Sequence, residues 1–472
     1  MTASTNAIDL NKDSIVKLFF YYFIPSLCAM LAMSTYSTID GIFVGNKIGE
    51  DGLSAITICW PIFPAFIAYE LLFGFGGAAI VSYFLGKNQA KRARLVFSSI
   101  FYFVALSSLV IGSVSFFFAE SVLDFLIGGK NISYEVYALA LEYIKIIFLG
   151  VPFLILHPLS DIFVINDKRP LLGMTAMIVG SASNIVLNYI LLFECNMGIG
   201  GSALATILAH LIGFVMLLSH FLRKKGALFF ITRFSFPAII SSAKSGLPES
   251  ISEISASIVM MLFNITLLEI SGKYGVTIYG IIMYCGVVFF TILLSVSQAL
   301  QPIASFNYGA GNFKRLKQSL SFALVVVLII GFCVYGLFFC FDHYLVALFL
   351  NNHDVQADTS LIQDTIRAMS IYYLGYILLG INIACAVFLQ SVQRTLSSFI
   401  ITVCYTIVFL VLILPPLSAR YGLEGAWISY PIAQVLAFIV AICVLAYEIK
   451  FGIFSGNLPS GKILWKRKKN RV

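Results

Sequence analysis

Charge is scarce in this sequence. Asp, Glu, Lys and Arg together make up 11% of its 472 residues, where a soluble domain carries about 25%. That scarcity excludes a water-soluble globular architecture. A hydrophobic share of 60% and a mean hydropathy of +0.96 point instead to a chain that crosses a membrane many times. Metal-ligand spacings are missing as well: there is no CxxC and no His-rich run, so no metal cluster is expected. The nine Cys nearly all fall inside apolar runs. Only Cys195 is expected to face the outside, which argues against a disulfide framework. No cleavable signal peptide is expected, because MTASTNAIDLNKDS leads into a run too long for an h-region and offers no small-residue cleavage site.

What is present is a series of long apolar runs. A helix needs about 20 mostly apolar residues to cross a bilayer. Twelve such runs are found: 15–43, 53–85, 95–119, 136–165, 171–194, 200–222, 245–270, 275–307, 319–341, 363–390, 396–416 and 423–447. The basic residues fall on alternate loops. One set holds Lys87, Lys91, Arg92, Arg94, Lys168, Arg169, the 223–244 segment, Lys314, Arg315, Lys317, Arg394 and the tail GKILWKRKKNRV. The opposite loops hold only Lys47, Lys130, Lys273 and Arg420. Positive residues stay cytoplasmic, so both termini are expected inside. The net charge of +8 then reports topology and attraction to anionic lipid, not nucleic-acid binding.

The chain also repeats itself. GKNQAKRA (86–93) and GAGNFKRL (309–316) match at an offset of 223, and Pro25 falls on Pro248 at the same offset. GIGGSA (198–203) and GLEGAW (422–427) match at 224. Six spans per copy keep both copies in one orientation, making a parallel repeat about an axis along the membrane normal. The expected organisation is an amino-terminal lobe (1–222), a cytoplasmic linker (223–244), a carboxy-terminal lobe (245–450) and a basic tail (451–472). Two such bundles enclosing a central cleft suit transport by alternating access.

These strings carry a family resemblance. Pro25 with YSTIDGIFVGNKIGEDGLSA (36–55), GFGGAAIVSYFLGKNQAKRA (74–93), NMGIGGSALAT (196–206) and QPIASFNYGAGNFKR (301–315) resemble the multidrug and toxic compound extrusion (MATE) family over nearly the whole chain. The resemblance implies an all-α membrane protein of twelve helices in two pseudo-symmetric six-helix lobes. It also implies export of organic, often cationic, compounds driven by entry of H⁺ or Na⁺. Pro25 is implied to let the first span bend, although a proline kink can equally be static packing.

Asp40 poses the sharpest chemical question, since a carboxylate at mid-bilayer costs roughly 2.5–3.5 kcal/mol. It lies toward the outer end of the first span, with Tyr36 one turn before it on the same face. Asn184 and Asn188 form an i, i+4 pair on the fifth span, and Thr206 lies near the outer end of the sixth. Topology alone puts all five at similar depth. By resemblance this is the first lobe's cation site, with Asp40, Asn184 and Thr206 matching directly. One departure counts: Asn188 stands where relatives carry a second acid. A lone carboxylate among amide and hydroxyl oxygens can hold Na⁺ or one proton, and losing the second charge weakens Na⁺ more, which favours protons. Glu70, Glu249 and Glu253 are candidates for a substrate cavity. Glu249 equally reads as an acid in a helix's first turn, a reading that suits Glu253 less well. The tenth span, MSIYYLGYILLGINIACAVFL, has no acid, so no second-lobe cation site is transferred.

Rival functions fit less well. A lipid-linked oligosaccharide flippase of the same superfamily is the alternative, and it would call for a strongly cationic cavity. Lys145 and Arg367 lie near outer ends. A membrane enzyme needs a paired nucleophile, acid–base set or metal, and His157, His210 and His220 are scattered over two spans without paired spacing. The reading is therefore a plasma-membrane exporter, multi-pass in a bacterial inner membrane, not an enzyme and with no cofactor beyond its coupling ion. Its expected partners are small organic cations and membrane lipid, and it is expected to be a monomer.

Overall fold

The computed structural model describes residues 8–129, 132–350 and 359–453, and their side chains except for 34–38, 347–350 and 359. Among the described residues every regular element is helical. Hydrocarbon offers no water to a peptide group, so a spanning segment must satisfy its N–H and C=O groups within a helix. The first part of the chain forms α1 (Ile15–Ile48), α2 (Glu50–Cys59), α3 (Ile62–Gly86), α4 (Ala90–Phe117), α5 (Ala119–Ile127), α6 (Tyr134–Asn166), α7 (Pro170–Tyr189) and α8 (Gly198–Leu222). The second part forms α9 (Phe236–Ser271), α10 (Lys273–Gly309), α11 (Phe313–Leu350), α12 (Thr359–Tyr372), α13 (Leu374–Ser391), α14 (Thr395–Val403) and α15 (Phe409–Tyr447). Wider π-helical turns occur at Ile190–Glu194, Cys404–Val408 and Glu448–Ile453.

Eleven of the described helical runs are long and apolar enough to cross a membrane. The last of them, Thr395–Ile453, has 59 residues and kinks at Gly422. There φ is 60°, a left-handed value that glycine adopts without a Cβ clash. This run therefore holds both the eleventh and the twelfth expected spans, and the fold is the expected all-α, twelve-helix one. The second expected span is broken into α2 and α3, because Pro61 and Pro64 have no N–H to continue the helical ladder. The seventh starts earlier than read from hydropathy, at Phe236.

Two compact units make up the described chain: Ile24–Gly246, and residues 8–23 with 247–453. Segment 223–244, expected as a linker, packs in the first unit. There Ala227 N and Leu228 N donate to Asp167 Oδ1 at 2.8 and 3.2 Å, and the Phe230 ring lies 5.2 Å from that of Phe97. Residues 8–23 pack in the second unit, where Arg315 donates to the Asp13 carbonyl and Phe19 sits edge-on to Phe322 at 5.1 Å. Both α1 and α9 thus pass from one unit to the other, two residues before Pro25 and Pro248. From residue 454 the basic tail lies outside the described residues.

The duplication is written in backbone geometry as well as in sequence. After α3, Gln89 N closes onto the Phe84 carbonyl at 2.9 Å, with Asn88 at φ 57°. After α10, Asn312 N closes onto the Asn307 carbonyl at 2.9 Å, with Gly311 at φ 72°. Each residue sits 223 positions from its counterpart, and so do the positive-φ glycines Gly49 and Gly272.

The start of α9 is held in the first unit by backbone approach. A methyl group at Gly76 would land on the Ser242 carbonyl, and one at Gly246 on the Leu72 carbonyl. Small residues allow this close helix contact, the usual device where hydrocarbon removes a hydrophobic driving force between helices. Gly246→Ala is expected to destabilise the protein by about 1–3 kcal/mol through overpacking. The check is a lowered thermal unfolding midpoint in detergent. Gly280→Ala, where nothing stands within 4 Å, should leave the midpoint unchanged.

Candidate cation-coupling site

Three helices of the first unit converge on Asp40. α1 supplies the carboxylate, and Ser202 Oγ of α8 donates to its Oδ1 at 2.7 Å. Asn188 of α7 is a further hydrogen-bond partner of Asp40. One turn below, Asn184 Oδ1 accepts from Asn188 Nδ2 at 3.2 Å. Asn184 Nδ2 in turn donates to Thr206 Oγ1 of α8 at 3.3 Å. The i, i+4 spacing on both helices sets this pattern, since it stacks side chains on one face. Asn184, Asn188, Ser202 and Thr206 are all buried, and Asp40 is half-buried.

The network therefore joins Asp40, Asn184, Asn188 and Thr206. Tyr36 was expected among them, but its side chain lies outside the described residues. Ser202 escaped the sequence reading, although its spacing of four from Thr206 was a visible signal. One atom is left over: Asn188 Oδ1 is buried and has no hydrogen-bond partner. With Asp40 and the hydroxyl oxygens it offers the oxygen-only donor set that a hard cation takes, and equally an acceptor for a protonated acid.

The other acids lie apart from this network. Glu70 is buried on α3, its Oε1 beside Gly74 where α3 meets Leu159 and Ile162 of α6. Glu249 and Glu253 are half-buried on the part of α9 that belongs to the second unit. Glu249 interacts electrostatically with Tyr405, whose hydroxyl shares a 3.2 Å hydrogen bond with Ser252. Pro25 lies inside α1, as expected.

The histidines do not stand apart as the sequence suggested. His157 Nδ1 and His210 Nδ1 are 3.2 Å apart, and His220 Nε2 is 2.8 Å from Asp167 Oδ2. Pairing across α6 and α8 depends on helix register, which linear spacing does not reveal.

In the second unit, the positions that repeat Asp40 and Thr206 hold Phe263 and Tyr430. They join an aromatic cluster: Phe263 stacks on Tyr279 at 4.8 Å, and Tyr430 on Tyr372 at 4.2 Å. Tyr372, Tyr373 and Tyr376, the tyrosines of the tenth span, fill the rest.

A family model described as MatE matches the chain twice, over residues 25–190 and 248–414. The chain belongs to the MATE family. Each MATE copy opens on its proline, Pro25 or Pro248. The multidrug export protein MepA of Staphylococcus haemolyticus is 24% identical over 454 residues, covering 95% of this chain and 97% of that one. MepA of Staphylococcus aureus is 23% identical over 441 residues, with 92% and 94% covered. Among solved structures, an outward-facing multidrug resistance MATE family transporter superposes with a TM-score of 0.86 at 22% identity, covering 95% of this chain and 99% of that chain. A MOP superfamily transporter from Pyrococcus furiosus, described by a reversed polarity of its binding pocket, gives 0.85 at 21%, with 95% and 99% covered. The protein is thus a multi-pass membrane protein of a transporter family.

One histidine of this MATE chain has a structural role that can be measured. Asp167 is buried at the end of α6, held by His220 and by the amides of Ala227 and Leu228. Removing one partner of a buried pair leaves the other uncompensated. His220→Ala should cost about 3 kcal/mol, seen as a lower thermal midpoint and freer proteolysis of the 223–235 segment.

Proposed function

We propose that this protein exports organic, positively charged drugs and toxic compounds across the bacterial plasma membrane by alternating access, in exchange for protons. Na⁺ is the second candidate ion. The observation that carries the reading is the half-buried Asp40 carboxylate, held by Ser202 and Asn188 within a network of amides and hydroxyls. The MepA relatives, multidrug export proteins by name, supply the direction of transport and the class of cargo. Alternate-loop placement of Lys and Arg supports cytoplasmic termini.

Asp40 provides the two states that coupling needs. Ionised, it only accepts hydrogen bonds; protonated, it donates one as well. The orphan Asn188 Oδ1 is the acceptor that this new donor lacks elsewhere in the network. A proton therefore changes which bonds tie α1 to α7 and α8, and that change biases the unit toward one opening. Having one carboxylate rather than two favours a proton over Na⁺, because cation affinity rises with the number of charged ligands. Cargo of positive charge suits the acids Glu70, Glu249 and Glu253. The outer bases are already engaged, Lys145 by Glu120 at 3.2 Å and Arg367 by Glu424. A pyrophosphate-bearing lipid would ask for the opposite polarity.

Asp40→Asn is expected to abolish dye efflux from cells while the protein is still made and inserted. Ethidium retention with and without a protonophore reads this, and undiminished export by the variant would refute the role. Asn188→Asp is expected to increase Na⁺ dependence by bringing a second charge to the site. Efflux from proteoliposomes under an imposed sodium step measures that, against the response to an imposed pH step.

A further inference from the structure

A second polar cluster lies inside the first unit, deeper along α6 and α8 than Asp40's network. His157 Nδ1 faces His210 Nδ1 at 3.2 Å. Asp161, one turn along α6 from His157, is buried with an Oδ1 that has no hydrogen-bond partner, and His157 Nε2 is likewise buried and unpartnered. Neither is accidental packing. A methyl group at Gly173 of α7 would strike Asp161 Oδ1, and one at Gly213 of α8 would strike the His157 ring, so glycines clear space for both groups.

The cluster is continuous with the site above it. A small cavity lined by Met33, His157, Ser181, Asn184 and His210 lies between them, with room for about one water molecule. Asn184, the lowest member of Asp40's network, thus shares a cavity with both imidazoles. On α8 the residues Ser202, Thr206 and His210 follow at spacings of four, on one face over about 12 Å of helix.

We propose that His157 and His210, with Asp161 one turn further along α6, form a second proton-binding site in the first unit, connected to Asp40 through the cavity at Asn184. It rests on the proton-coupled reading for its use in transport, but not for its existence. Two facing Nδ1 atoms share one proton, donated by one ring to the other. One further proton, entering at His157 Nε2, turns the pair into an imidazolium hydrogen-bonded to an imidazole. Another proton between the rings would set two N–H groups against each other. The pair therefore gains and loses a single charge, and the Asp161 carboxylate is its nearest counter-charge along α6.

The helices packed on α6 define what else the pair senses. α8 contributes His210 itself, α3 contributes Glu70, and α1 contributes Asp40 through Asn184. α7 presents no charged side chain, only Ser181 and Asn184. The charges of α4 (Lys91, Arg92, Arg94), α2 (Glu50, Asp51) and α5 (Glu120, Asp124) lie on residues at or near the ends of those helices. On α6, Glu135, Glu142 and Lys145 precede the pair by three turns or more.

The test uses the full-length protein with ¹⁵N-labelled histidine, of which the chain has five. NMR of the ring nitrogens across a pH titration should show His157 and His210 moving together in one step. His210→Gln should alter the step at His157, and Asp40→Asn should displace it. Rings that do not titrate, or that titrate independently of each other's replacement, overturn the site. In parallel, substrate-triggered proton release is measured in weakly buffered detergent. The His157→Gln/His210→Gln protein should still bind substrate, with about one proton fewer released and a pH dependence of affinity shallower by the same proton. An unchanged proton count with bound substrate also overturns the proposal. If Asp40→Asn keeps proton-driven transport, the coupling reading fails, while the NMR titration still decides this site.

Discussion

The hydrogen bonds to Asp40 are the constraint on which the first unit is arranged. Placing a carboxylate at bilayer depth costs roughly 2.5–3.5 kcal/mol. A hydrogen bond to a charged group returns about 1.5–3 kcal/mol, so two donors are enough to hold the charge without making it permanent. Ser202 and Asn188 are those donors. They reach one oxygen-bearing side chain only if α7 and α8 stand side by side against α1, in the register that pairs Asn184 with Thr206. Packing and the polar network are the same geometry at this point.

Around that site the fold is built by duplication with local exceptions. Turn conformations persist across the two copies even where residues have changed, as with Asn88 and Gly311. The boundaries between units also recur at the same offset, immediately ahead of a proline in each copy. A helix that is shared between units and lacks one backbone hydrogen bond near the crossing is mechanically the softest place to share it.

Much of this was legible in the sequence, and the reasons are physical. Spans were readable because hydrocarbon imposes a length and a composition. The duplication was readable because glycines, prolines and basic turns carry geometry that side-chain drift does not erase. Asp40, Asn184, Asn188 and Thr206 could be grouped because topology fixes depth. Ser202 was missed because a serine among small residues looks like helix packing, and its role appears only when α1 is set beside α8. The His157–His210 contact was missed for a stronger reason. It joins two helices across 53 positions in sequence, and whether two such faces meet depends on rotation about each helix axis. Hydropathy is nearly uniform around these spans and carries no record of that rotation. That residues 8–23 pack with the second unit, and 223–244, expected as a linker, with the first, has the same origin: composition marks a segment as polar or apolar, but not what it leans on.

The aromatic cluster sets the two copies apart in chemistry. Where one copy keeps an ionisable oxygen, its twin has Phe263 and Tyr430 locked in stacked rings. At this depth the first copy presents a carboxylate among amides and hydroxyls, whereas the second is filled by ring contacts. At these positions the divergence between the halves therefore exchanges a titratable group for stacked rings, so a proton can be bound in one copy where its twin offers only aromatic surface.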